Sequence, residues 1–220
     1  MNARSQIFEF TLEDRQINET LASLFHTVLF HRSLGKFIYS GDSSYSVGTI
    51  GTQDIDCDFI DFTYVCCSSP SLDRAIKKEI SNFSEQLRSH ESGCAGQISL
   101  EFFQKKKNRW PFQAENIPWE VWTVRLDLLE LNNEDERQMY RERVGDMLAE
   151  KILYITEVMN RQDDYVPKMP AQTELDLIFD TSHADVQPYL FKFKFSTSAG
   201  AASTSVKSTM QKIIKETLSL

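Results

Sequence analysis

Apolar positions along the chain fall into two rhythms. Between Thr11 and Arg32, Ile17, Leu21, Leu24, Phe25, Val28 and Leu29 recur every three or four residues. That stripe predicts an amphipathic helix with Thr11 or Asp14 as its N-cap. A second helix is predicted to begin at Ser68-Ser69-Pro70, with a serine cap and the proline in the first turn. It carries Leu72, Ile76, Ile80, Phe83 and Leu87 on one face and ends at Ser92-Gly93. A third runs from about Asn133 to Asn160 with Val144, Leu148, Ile152, Ile155 and Met159 on one side. A last helix, near Thr204 to Leu218, presents Val206, Met210, Ile213, Ile214 and Leu218.

Between these stripes the rhythm shortens to strand-like pieces. "KFIYS", "YSVGTI" and "DIDCDFIDFTYVCC" follow Gly35, and "GQISLEFFQKKK" and "PWEVWTVRLDLLEL" precede the third helix. "PYLFKFKFST" alternates Phe191, Phe193 and Phe195 with Lys192 and Lys194, which predicts a half-buried strand with its lysines toward water. Pro167 and Pro170 forbid continuation of the third helix into it. Strands cluster in the middle, helices are spread along the chain, and no βαβ alternation is evident. The predicted class is α+β with a mainly antiparallel sheet.

Composition narrows the function. The 220 residues suit one domain or at most two small ones, and 41% hydrophobic content supports a packed core. A net charge of −8 argues against general nucleic-acid binding, which needs a basic footprint. "MNARSQIFEFTLEDRQ" has no apolar signal region, and no apolar run approaches the ~20 residues of a spanning helix, so a soluble, non-secreted protein is expected. Cys57, Cys66, Cys67 and Cys94 show no CxxC spacing, and no histidine stands at ligand distance from them. Reduced thiols without metal or other cofactor are expected. His26 and His31 read as solvated or locally hydrogen-bonded.

Two stretches invite chemistry. In "GTQDIDCDFID", Asp54, Asp56 and Asp58 alternate, which on a strand puts them on one face. Such a pair can hold magnesium for nucleotidyl transfer, with Asp127 as the candidate third acid. The competing reading is the wet face of a two-sided strand. "GTIGTQ" lacks the Lys-Ser/Thr of a phosphate-binding loop. The second stretch is "KKKNRWPFQAENIPWEVWTV", residues 105–124, which holds all three tryptophans. Trp119 and Trp122 fit a strand and read as structural. Trp110 and Phe112 flank Pro111 on a polar loop. They either fold back onto the surface or form a rigid, exposed finger for a partner. Lys105, Lys106, Lys107 and Arg109 are either the solvated end of a strand or an electrostatic aid toward anionic lipid or an acidic partner.

Several blocks along nearly the whole chain resemble the autophagy-related protein 101 family, a HORMA-domain subunit of the autophagy-initiating kinase complex. They are "HTVLFHRSLGKF", "GTIGTQDIDCDFIDFTYV", "SLEFFQKKKNRWPF", "IPWEVWTV", "VMNR" followed by "PKMP", and "DVQPYL". The N-terminal strand, "SHESGCAG" and "TSAGAASTS" depart from the family pattern. The resemblance implies a single HORMA domain over 1–220: an antiparallel sheet against three main helices, an open-type C-terminal region from 165, and a final helix. It implies a non-enzymatic adaptor that heterodimerises with and protects the HORMA domain of autophagy-related protein 13. It assigns Trp110, Pro111 and Phe112 to a finger that recruits downstream autophagy factors. It places the protein in the cytoplasm and, on induction, at the preautophagosomal structure. A nucleotidyl-transfer enzyme at Asp54/Asp56 and a lipid-surface binder through Lys105–Arg109 with Trp110/Phe112 are the competing functions.

Overall fold

The computed structural model describes residues 3–41, 44–89, 95–106, 115–161 and 165–198. Its centre is a four-stranded sheet. Strand β1 (Arg4–Leu12) and the later β7 (Ala95–Lys106), β8 (Glu115–Leu128) and β10 (Phe191–Ser198) lie in the order β1-β8-β7-β10. The β7–β8 and β7–β10 pairs are antiparallel, while β1 runs parallel to β8 from Arg4↔Glu120 to Leu12↔Leu128. Parallel neighbours need a long crossover. The chain between β1 and β8 supplies it, including two helices and five further strands before β7.

Those helices are α1 (Ile17–His31) and α2 (Pro70–Arg88), and α3 (Glu134–Met159) follows the sheet's long hairpin. Residues in register across the sheet identify the buried side: Gln6, Trp122, Leu100 and Phe193 form one row, Phe8, Val124, Ile98 and Phe195 the next. Each helix puts an aromatic ring onto these rows. Phe25 of α1 meets Phe193 at 5.2 Å, Phe83 of α2 meets Phe195 at 5.8 Å, and Tyr154 of α3 meets Phe8 at 6.0 Å. All three helices therefore cover the same face. Lys192 and Lys194 point to the other face, as the alternation predicts, but both close on Glu101 at 2.6 and 2.7 Å.

Three small ribbons flank the main sheet. They pair β2 (Ser33–Leu34) with β9 (Gln187–Pro188), β3 (Phe37–Tyr39) with β4 (Tyr45–Val47), and β5 (Thr52–Asp56) with β6 (Thr63–Cys67). The second and third predicted helices correspond to α2 and α3, with Ser69 at the N-cap position of α2 and α2 ending at Arg88, before the predicted Ser92-Gly93. The first needs correcting. Thr11 and Leu12 belong to β1, a 3-10 turn spans Asp14–Gln16, and α1 starts only at Ile17. Phe8, Phe10 and Leu12 alternate with Ile7, Glu9 and Thr11, and sheet pairing overrides any helical continuation there. The predicted helix 204–218 lies outside the described residues.

Candidate protein-interaction site

The two long strands β7 and β8 form the hairpin that carries the tryptophan-rich stretch. Its register runs outward to Lys105↔Asn116 and Lys106↔Glu115. Lys105 is half-buried and Lys106 exposed. Residues 107–114 link the two paired ends, so Lys107, Arg109, Trp110, Pro111 and Phe112 lie outside the described residues.

The base of the hairpin is rigidly built. Between Phe102 and Phe103 the register jumps from Glu120 to Pro118, leaving Trp119 as the extra residue of a bulge. Trp119 is buried against Phe102 at 5.5 Å, Tyr165 at 6.0 Å and Tyr189 at 5.3 Å. Trp122 is buried beside Phe8. Both are structural, as the strand pattern predicts. The neighbouring Glu120 is the residue that pattern reading passed over. It sits on the helix-facing side, and Arg32, the C-cap of α1, grips it with bonds of 2.6 and 2.9 Å. The signal was its phase, since Glu120 alternates with Trp122, Val124 and Leu126 on the apolar face.

The structure does not bring the carboxylates of the acidic stretch together as the strand pattern predicts. Asp54 and Asp56 are exposed on β5, but that strand ends at Asp56, so Asp58 stands in the following turn and does not share their strand face. There the Glu19 carboxylate accepts from the Asp58 and Phe59 amides at 2.8 and 2.9 Å. Asp56 accepts from the Thr63 hydroxyl at 2.6 Å. Asp127 lies on β8, in a different sheet from Asp54 and Asp56. Among the described residues, no group of three or more His, Cys, Asp or Glu could hold a metal ion.

Cys57, Cys66 and Cys67 are packing groups, while Cys94 lies outside the described residues. Cys66 and Cys67 are buried and Cys57 is half-buried, and burial pushes Cys57 and Cys67 up to about 11. His26 is not solvated. It is 2% exposed, stacks on Tyr64 at 5.6 Å and faces Asp73 at 3.3 Å. Two of the arginines interleaved with acids on α3 are held within the chain, Arg137 by Glu13 and Glu134 and Arg141 by Asp61. Apolar surface remains open elsewhere. Ile38, in register with Ser46, is 64% exposed on one face of the β3–β4 ribbon, Tyr45 and Val47 are exposed on the other, and Leu153 of α3 is 71% exposed.

Fold and site together define an α+β domain, consistent with the HORMA fold, whose long hairpin stands on a buried aromatic and ionic base. No helix among the described residues is long and apolar enough to cross a membrane. The family model for Autophagy-related protein 101 matches residues 9–173. Relatives of that name from Xenopus laevis and Homo sapiens are 55% and 54% identical over 220 residues, covering the whole of both chains. One from Arabidopsis thaliana is 26% identical over 182 residues, 74% of this chain and 78% of its own. The chain belongs to the Autophagy-related protein 101 family, and with it to the proteins of autophagy.

Proposed function

We propose that this chain is a non-enzymatic adaptor of autophagy initiation. It pairs one-to-one with the HORMA domain of autophagy-related protein 13 in the cytoplasm. Within the initiating kinase complex, at the preautophagosomal structure, it recruits downstream factors through Trp110, Pro111 and Phe112. The observation that carries this reading is the full-length kinship to Autophagy-related protein 101. The buried base of the β7–β8 hairpin supports it, because a fixed platform lowers the entropy that a recruiting loop loses on docking. The open apolar surfaces at Ile38, Tyr45, Val47 and Leu153 support a partner domain. A heterodimer of this kind buries about 1,200–2,000 Å².

The test is Trp110→Ala/Phe112→Ala. A recruiting finger predicts a melting curve close to the parent, since surface substitutions fall within ~0.5 kcal/mol. The variant keeps its HORMA partner but loses the downstream interaction, each aromatic contributing ~2–4 kcal/mol. A melting temperature more than ten degrees lower would identify both as core residues, whose truncation costs ~3–5 kcal/mol each. Neutralising Lys105, Lys106 and Lys107 separates an apolar docking pocket from an anionic surface. Only the anionic surface predicts a salt-sensitive loss of binding.

A further inference from the structure

Five stretches of chain meet on one buried charge pair. Glu120, 2% exposed, accepts both bonds of the Arg32 fork. Tyr165, beyond α3, donates its hydroxyl to Glu120 at 2.8 Å and accepts from Arg32 at 2.8 Å. The Arg32 carbonyl accepts from the Tyr189 amide at 3.0 Å, just ahead of β10, and the Tyr189 ring packs on Trp119. Arg4, the first residue of β1, is in register with Glu120 and lies 4.2 Å above the Tyr165 ring. The start of β1 and the segment 165–198 thus rest on the same ion pair and on each other.

A buried ion pair adds little net stability over an apolar pair of the same volume, but a half-broken one leaves a charge stranded out of water. That asymmetry disfavours a half-open cluster relative to a closed or fully open one. Departure of 165–198 would remove Tyr165 and Tyr189, wet the Arg32–Glu120 pair and take away the ring beneath Arg4. Departure of the β1 start would uncover Tyr165 and the β8 backbone beside Glu120. We propose that the Arg32–Glu120 pair, closed by Tyr165, is a lock coupling the N-terminal strand to the C-terminal segment, so that neither leaves the domain while the other stays. This coupling is independent of what the hairpin recruits.

Hydrogen exchange on the full chain tests it. Glu120→Gln keeps the side-chain shape and strands the guanidinium. Exchange in peptides spanning 4–12 and 187–198 should then accelerate together, on the order of 100-fold, with 70–88 unchanged. Tyr165→Phe keeps the ring and removes only the bridging hydroxyl. It should accelerate the same two regions together by about tenfold. Acceleration of one region alone, a uniform rise over all elements in Tyr165→Phe, or no change would overturn the lock. Where Glu120→Gln yields no folded protein, Tyr165→Phe decides by itself.

Discussion

Replacing His26 with phenylalanine should flatten the acid limb of the stability profile. His26 sits in α1 with its ring stacked on Tyr64 and its Nε2 facing Asp73, which also pairs with Lys77. Burial lowers its pKa from 6.5 to about 4, against the pull of the Asp73 carboxylate. In the unfolded chain the imidazole takes up a proton as pH falls through 6.5; in the folded chain it resists until about 4. The unfolded state therefore binds more protons across that window, and stability falls as the solution is acidified through it. The full shift corresponds to about 3 kcal/mol, on the order of 1.4 kcal/mol per pKa unit. By pH 5 about 2 kcal/mol of that is already lost. Phenylalanine keeps the ring stack and has no proton to bind. Urea unfolding of parent and His26→Phe at intervals from about pH 7.5 to 4 gives two curves, and carboxylate titrations common to both cancel in their difference. The difference should grow to about 2 kcal/mol at pH 5 in favour of the variant, relative to its value near pH 7.5. Parallel curves over that range would refute a neutral, buried His26.

Other expectations follow from close contacts and from the acidic strand. A Cβ added at Gly145 of α3 would stand 2.6 Å from the Asp61 carbonyl oxygen. Gly145→Ala gains about 1 kcal/mol of helix propensity, yet it should lower stability in denaturant by a net ~1–3 kcal/mol, because backbone atoms must move. A stabilised variant would show that the Asp61 turn yields freely. Asp56→Asn should leave partner binding intact and melting little changed, since the exposed carboxylate accepts from the Thr63 hydroxyl at the surface. Millimolar magnesium or manganese should not raise the parent's melting temperature. A metal-dependent rise abolished by Asp56→Asn would restore the nucleotidyl-transfer reading.

Periodicity made α2 and α3 legible, because both helices carry long apolar stripes, with Ser69-Pro70 opening α2 and the Asn133 side chain capping α3. Capping and stripe spacing are properties of neighbouring residues, so a linear reading reaches them. The same holds for the alternation in β10 and for the buried setting of Trp119 and Trp122. For Trp110, Pro111 and Phe112, which lie outside the described residues, pattern alone left two placements open, and the recruiting finger rests on family resemblance.

What the tertiary structure decided depends on contacts between distant stretches. Thr11 and Leu12, the end of β1, could be read as the start of a helix until β8, more than a hundred positions later, supplied a parallel neighbour. Asp58 looked equivalent to Asp54 and Asp56 until β5 ended one residue short of Cys57 and Glu19 captured the turn amides. Glu120 is the sharpest case. By phase alone it would be an acid on an apolar face, a costly placement. Only the fold shows that Arg32 and Tyr165, 88 and 45 residues away, meet it there. Local sequence determines caps and periods because those interactions span a turn. Pairing partners for strands and for buried charges are chosen across the whole chain, and no window of sequence contains them.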